Sequence, residues 1–288
     1  MHATIALVGA GRTAAHLGQA LQAAGWPLVA LGVRDALRAA PLAQALGLAP
    51  LTPAEACARA DWVFLAVRDA DIAPVCAALP WRAGQVAVHL SGATPLGALE
   101  PAVAAGARAA GFHPLQLMAD PLPSREAAAQ VFRGVVVGIE AEALDAAPLH
   151  HLARDLGALP LALQSEQRAL YHAAANSGAS GLLAPLSLAQ ALMAQALQTD
   201  EATAWAALAP LARGALDAAL ARGVGGALSG PLARGDAAVL HRHVQALQTQ
   251  ATADQQQLYE ALMRALLPLA AKRLPPEAVQ ALEDSLRA

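Results

Sequence analysis

The chain is poor in aromatic residues and nearly free of lysine. Aromatics make up 3% of its 288 residues, and Lys272 is the one lysine. Schiff-base chemistry and a lysine acid–base therefore have almost nothing to work with. Cysteine is scarce too. Cys57 and Cys76 share no metal-ligand spacing and no disulfide framework, and read as reduced thiols of a cytoplasmic protein. Charged residues are 14% of the chain and the net charge is −3, which gives no long-range attraction to nucleic acid or an anionic membrane. No basic leader with a small-residue cleavage site precedes the first apolar run. His172 to Thr199 carries no Asp, Glu, Lys or Arg. Its Asn176, Ser177, Ser180, Gln190 and Gln195, and the lack of flanking aromatic belts, favour a buried helix pair or a subunit interface over a membrane span. No metal site is read. His150 and His151 are adjacent, and His241 and His243 sit two apart on a predicted helix, so each pair diverges. Ser91, His113 and Asp120 can be grouped on paper as a hydrolase triad, but no G-x-S-x-G accompanies them.

What is present is 56% hydrophobic residue, enough for two domains with cores. The first part alternates short β-rich runs with helical ones, the pattern of βαβ units. Strands are expected at 4–8, 28–34, 62–67, 86–90, 109–112 and 135–139, with a short last one at 159–163. Helices are expected at 12–24, 70–79, 96–104 and 144–156. Thr52-Pro53-Ala54-Glu55 has the form of a helix start, with Thr as cap, Pro at the first position and Glu three residues after the cap. From Glu166 onward no strand pattern appears. Helical runs occupy roughly 166–175, 185–197, 201–221, 237–270 (with room for a break) and 277–286, with a Gly/Pro-punctuated loop over 223–235. The expected fold class is α/β, a Rossmann-type doubly wound, mostly parallel sheet over residues 1–164, followed by an all-helical domain over 165–288.

Gly9-Ala10-Gly11-Arg12-Thr13-Ala14 matches G-x-G-x-x-G/A. It follows an apolar strand directly and opens a helix, which is the context the pattern needs. Gly9 permits the tight turn, Gly11 lets backbone approach a pyrophosphate, and Ala14 allows close helix–strand packing. The phosphates then meet unpaired N–H groups at a helix N-terminus. The ribose is read at the end of the second strand, where the chain runs Gly32-Val33-Arg34-Asp35. A carboxylate accepts from a 2′-hydroxyl, whereas a guanidinium pairs with a 2′-phosphate. Arg34 comes first and Arg12 lies in the turn, so NADP is favoured over NAD.

Several segments together carry a resemblance. They are Gly9-Ala10-Gly11-Arg12, Val67-Arg68-Asp69-Ala70-Asp71-Ile72, His89-Leu90-Ser91-Gly92-Ala93, Gly111-Phe112-His113-Pro114-Leu115-Gln116, Tyr171-His172-Ala173-Ala174-Ala175 and Ser229 through Asp236. In that order they resemble a family of predicted NADP-dependent oxidoreductases that joins a Rossmann-like domain to a helical domain formerly of unknown function. The layout is more distantly similar to F420-dependent NADP reductases, pyrroline-5-carboxylate reductase and the 6-phosphogluconate dehydrogenase superfamily. The resemblance implies a cofactor domain, a helical dimerisation and substrate domain, and a site between them. It leaves F420 open as a co-substrate. The family's Tyr-His-Ala-Ala helix continues into a Ser-Asn pair, which falls here on Ala179-Ser180, with Asn176 one turn earlier.

Ligands of doubly wound sheets bind beyond the carboxyl ends of the strands. Those ends carry Gly9 to Ala14, Val67-Arg68-Asp69, Ser91-Gly92 and His113-Pro114. Cofactor contacts are therefore expected from Gly9, Ala10, Gly11, Arg12, Thr13, Arg34, Val67, Arg68, Asp69, Ser91 and Gly92. His113 and His172 are the leading acid–base candidates, since imidazole exchanges protons near neutral pH. Ser180 is a further catalytic candidate; Asn176 and Arg234 are candidates for the substrate, and Asp236 for a helix cap. Tyr171 is expected to face differently from His172. The expected function is NADP(H)-dependent oxidoreduction of a small carbonyl, imine or hydroxy compound by a homodimer. A nucleotide-binding sensor or assembly protein without turnover stands as the alternative.

Overall fold

The computed structural model describes residues 2–287. The chain divides into two compact units, Met1–Ala175 and Asn176–Ala288.

In the first unit, strands and helices alternate as β1 (Ile5–Val8), α1 (Arg12–Ala23), β2 (Leu28–Gly32), α2 (Ala36–Leu46), β3 (Pro50–Leu51), α3 (Pro53–Ala58), β4 (Trp62–Leu65), α4 (Asp69–Ala77) and β5 (Val86–His89). They continue as α5 (Glu100–Ala104), β6 (Arg108–Pro114), α6 (Arg125–Phe132), β7 (Val136–Ala141), α7 (Ala143–Asp155), β8 (Leu159–Ala162) and α8 (Arg168–Gly178). One eight-stranded sheet has the order β3-β2-β1-β4-β5-β6-β7-β8. Every pair is parallel except β6–β7. The mostly parallel, doubly wound sheet read from the sequence is thus the observed one.

The central strands are apolar throughout because helices cover both faces. Alternate residues serve opposite sides. Ile5, Leu7, Phe64, Val86, Val88 and Phe112 join α1, α6 and α7 in one core, while Ala6, Val8, Val63, Leu65 and Ala87 join α3 and α4 in the other. Thr52 caps α3 as its spacing predicts. Its hydroxyl accepts from the Glu55 amide at 3.2 Å, and the Glu55 carboxylate accepts from the Thr52 amide at 2.9 Å. Cys57 and Cys76 are buried and unpaired; burial pushes the Cys57 thiol up to about 11.

Three elements of this unit, α2, β3 and α6, have no counterpart in the sequence reading. Pro41 lies inside α2, and an internal proline ordinarily signals a helix end. Here its ring is exposed, so the carbonyl left without a partner is free to meet water. Asp35 starts the helix by accepting from the Arg38 amide at 3.0 Å, and Gly47 ends it in the left-handed region at φ 63°.

The second unit takes the last residues of α8 and then α9 (Leu183–Leu197), α10 (Glu201–Ala227), α11 (Gly230–Arg234), α12 (Ala237–Gln250), α13 (Ala253–Ala270) and α14 (Pro276–Ser285). It is helical throughout its described residues. Leu232, Leu240, Val244, Leu282 and Leu286 form its core. The loop expected over 223–235 is mostly helix: Gly223, at φ 74° and ψ 160°, breaks α10, a short helical stretch runs on to Ala227, and α11 follows. The long run expected over 237–270 breaks at Thr252, which caps α13 with Gln255 as partner. Asp236 caps α12, accepting from the Val239 amide at 3.2 Å. By composition Ser165–Leu197 is one stretch long and apolar enough to cross a membrane. It is not one continuous helix, because α8 stops at Gly178 and a single 3₁₀ turn, Ser180–Leu182, precedes α9. Alone, the 15 residues of α9 reach about 22 Å, short of a hydrocarbon core of about 30 Å.

Candidate active site

The strand order reverses between β1 and β4, and their carboxyl ends open a cleft of about 970 Å³ there, where doubly wound sheets place their ligands. Gly9 sits at the bottom with φ +119°, and a Cβ on it would lie 2.3 Å from the Ala66 carbonyl oxygen. Only glycine fits a backbone so shaped and so closely pressed on β4. Gly11 is bare for a different reason. Its φ of −79° suits any residue, and no protein atom lies within 4 Å of where its Cβ would be. As N-cap of α1 it offers no side-chain acceptor, so the first-turn amides keep their capacity for an anion at the positive end of the helix.

Gly9, Ala10, Gly11, Arg12, Thr13, Arg34, Val67, Arg68, Asp69 and Ser91 all line this cleft. Arg38 lines it too, a third guanidinium that the sequence reading did not single out. Asp35 also lines it, but its carboxylate is engaged in capping α2. Arg12, Arg34 and Arg38 thus outnumber that one capped carboxylate beside the end of β2, which suits a 2′-phosphate better than a 2′-hydroxyl. Arg68 pairs with Asp71 at 2.7 Å, and that hydrogen bond holds the Asp71 carboxyl below its ordinary range. The bare Gly11 and the three arginines fit a dinucleotide diphosphate carrying a further phosphate on its ribose.

Beyond Ser91 the cleft gives way to a cluster of polar side chains, all within the first unit. Arg168, Tyr171 and His172 follow the i, i+3, i+4 spacing that puts residues on one helix face. Each meets a glycine. A Cβ on Gly111 would come 2.7 Å from Arg168 Nη2, one on Gly138 2.9 Å from Tyr171 Oη, and one on Gly92 2.8 Å from His172 Cδ2. The missing side chains on β6, on β7 and after β5 are what let α8 lay three large polar groups against the sheet. His113, opposite Gly138 in register, has its Nδ1 3.0 Å from the Tyr171 hydroxyl and its ring 6.2 Å from that of His172. Tyr171 and His172 therefore share the sheet-facing side of α8, contrary to expectation: adjacent helical residues differ by about 100°, and the face is broad enough to hold both.

Arg168 is buried and paired with the buried Glu140. It also donates to the Ser91 carbonyl at 2.9 Å, and Ser165 donates to the same Glu140 carboxylate. One guanidinium thus ties β7 to the loop after β5. The Ser91 hydroxyl accepts from the amides of Ala93 and Thr94 at 3.1 and 2.9 Å, so it shapes that loop. Desolvation, with His172 and Arg168 adding repulsion, pushes His113 down to about 4; burial and Arg168 do the same to His89. Both imidazoles are neutral at neutral pH. Burial raises the Tyr171 phenol, which keeps its proton. Neither ring nitrogen of the fully buried His89 has a hydrogen-bond partner.

Asn176, Ser180 and Arg234 belong to the second unit, each exposed: Asn176 near the end of α8, Ser180 opening the 3₁₀ turn and Arg234 ending α11. The residues the sequence reading passed over are Arg38, Glu140, Arg168 and Tyr171. Arg168 carried a usable signal, since it stands one helical turn before Tyr171-His172. Glu140 carried none, because its partner is distant in the chain.

Residues 4–91 match the family described as NADP oxidoreductase, coenzyme F420-dependent, and residues 135–266 match a domain of unknown function, DUF2520. The protein is of the NADP-dependent oxidoreductase class. The two matches, one to each part of the chain, follow the order that the motifs implied. Among solved structures it is similar to a Bacteroides fragilis protein described as an NADP oxidoreductase, with 25% identity, a TM-score of 0.70, and coverage of 92% of this chain and 98% of that one. It also shares the fold of a reductive aminase from Aspergillus terreus in complex with NADPH and ethyl-5-oxohexanoate, at 18% identity, TM-score 0.63 and 99% coverage of both chains. The same holds for a pyrroline-5-carboxylate reductase from Coxiella burnetii, at 18% identity, TM-score 0.58 and coverage of 100% of this chain and 98% of that one. No curated protein matches at a significant level.

Proposed function

We propose that the protein reduces a small carbonyl or imine with NADPH, or oxidises the corresponding hydroxy or amino compound with NADP. The observation that carries this reading is that Ser91, which lines the nucleotide cleft, is followed by Gly92, against which His113 and His172 stand, with the protonated Tyr171 phenol 3.0 Å from His113. When bound, NADPH supplies the hydride. The chain supplies alignment, a proton and a dry wall. Gly9 to Thr13 seat the diphosphate, and Arg12, Arg34 and Arg38 hold the ribose phosphate. Gly92 keeps the loop after β5 narrow enough for His113 and His172 to stand beside it.

Tyr171 donates the proton to the carbonyl oxygen or imine nitrogen of the substrate. His113, neutral and 3.0 Å behind it, relays the replacement proton: it takes one up from water on Nε2 as it gives its Nδ1 proton to the phenolate, and so ends neutral. His172 flanks the same point as a second acid–base group. Arg168 touches no reacting atom in this scheme; it positions the loop that His113 and His172 adjoin. Asn176 and Arg234 are proposed as substrate contacts and Ser180 as a further catalytic hydroxyl. We also propose a cytoplasmic homodimer. The buried free thiols support the compartment. Exposed Leu211, Leu216, Leu220 and Val224 on α10, with Leu183 and Leu197 on α9, support a second copy as their cover.

The test is NADPH consumption, followed at the nicotinamide absorbance band, against pooled carbonyls, imines and F420. Consumption with at least one pool is expected. Tight NADPH binding without consumption across the panel would overturn the enzymatic reading.

A further inference from the structure

We propose that His2, His151 and Asp155 form a binding site for a late first-row divalent metal ion, separate from the nucleotide cleft. Their ligand atoms all lie within 4.8 Å of one another. His151 and Asp155 are one turn apart near the end of α7, with Nε2 and Oδ2 3.4 Å from each other. His2 comes from the segment before β1, so the three donors converge from two parts of the chain. The sequence hides this group, because neither the pair on α7 nor His2 forms a ligand pattern alone.

The donor set selects the ion. Two imidazoles and one carboxylate suit Zn²⁺, Ni²⁺ or Cu²⁺, whereas Ca²⁺ and Mg²⁺ require oxygen ligands. Metal–nitrogen and metal–carboxylate bonds run to about 2.0–2.2 Å, so the ligand atoms must close by about 1 Å. His2 and His151 are exposed and can turn that far, while the Asp155 side chain is partly exposed. Two packing features limit their freedom in the right sense. The Trp26 indole N–H donates to Asp155 Oδ2 at 3.0 Å, which orients the carboxylate from outside as second-layer donors do at metal centres. The His2 ring lies 4.3 Å from the ring of Trp26 and is stacked 6.0 Å from that of His151, so it is held beside its partners. The group borders a hollow of about 570 Å³ that Trp26, Trp62 and Pro148 also line. Water from that hollow completes the coordination. The ion would clip the segment ahead of β1 to α7.

The site carries its own reporter, since Trp26 touches two of the three ligands. Protein free of a polyhistidine tag and treated with chelator is titrated with Cu²⁺ or Ni²⁺ while tryptophan fluorescence is read, and with Zn²⁺ while the melting temperature is read. Saturable quenching with one equivalent is expected, and a Zn²⁺-dependent rise in Tm on the order of 5 °C once metal is about a hundredfold above Kd. His151→Ala and His2→Ala should each weaken binding by about tenfold or more, with far-UV circular dichroism unchanged. Asp155→Asn, which can still accept from Trp26, separates ligation from packing and should weaken binding as well. Equal titration of the unmodified protein and His151→Ala, or equally tight Ca²⁺ binding, would overturn the assignment, as would the absence of saturable quenching. None of these readouts depends on turnover.

Discussion

The nucleotide cleft and the Tyr171–His113 cluster lie on the same sheet yet are built by opposite means. The cleft is made of backbone at strand ends, with exposed guanidinium groups around an opening. The cluster is made of side chains pressed on glycines, with a buried ion pair behind them. The first can be written in a short local motif, since a turn and a helix start need only neighbouring residues. The second needs two strands, a loop and a helix to be brought together by the fold. That difference explains which half of the site responds to which kind of damage.

The largest effect should come from Arg168→Met, which leaves Glu140 buried without its cation. A loss of about 3–5 kcal/mol is expected, read as the urea midpoint of the first unit. Adding Glu140→Leu should restore much of it. If the single variant is as stable as the unmodified protein, the ion pair does not organise the cluster. Next comes a contrast within the cleft. Gly11→Leu places a side chain before the α1 amides where no protein atom stands, so NADPH affinity should fall at least about 100-fold with little change in melting temperature. Gly9→Ala should instead destabilise the fold, because its Cβ meets the Ala66 carbonyl and its φ is positive. Equal behaviour of the two would erase the distinction between a glycine kept for the chain and one kept for the ligand.

Tyr171→Phe separates cleft from cluster directly. With a substrate from the screen, kcat should fall by about 100-fold or more while the Kd for NADPH stays unchanged. A loss of nucleotide affinity instead would make Tyr171 part of the cofactor seat. The smallest effect near neutrality is that of pH on stability. His89 and His113 sit near 4 in the folded protein, below their ordinary 6.5. Above about pH 6.5 the unfolded chain is also neutral and stability is complete. As pH falls toward 4 the unfolded chain takes up protons first, and stability drops. The slope between pH 6.5 and 4 should be shallower in His89→Leu.

Much of this was legible from local pattern. Every strand but the two-residue β3 is legible in an apolar run, α3 in its capping box, and the phosphate turn in two glycines in context. Where reading stopped, one of two physical causes intervened. α2 carries Pro41 in its interior, where proline ordinarily breaks a helix, and no helix was expected there. The pairing of Arg168 with Glu140, and of His2 with His151, is a product of the fold, and no periodicity in the chain anticipates it. Tyr171 on α8 and His113 on β6 were both in plain view, but their pairing was not. The three glycines facing α8 carried information that only the register of the sheet makes readable.

The central claim is that the cleft takes NADP(H) through the ribose phosphate. Calorimetric titration of the unmodified protein with NADPH and NADH, alongside Arg34→Ala, tests it most directly. NADPH should bind at least about tenfold tighter than NADH, and the variant should close most of that gap. Equal affinity for the two nucleotides in the unmodified protein, or no binding of either, would contradict it.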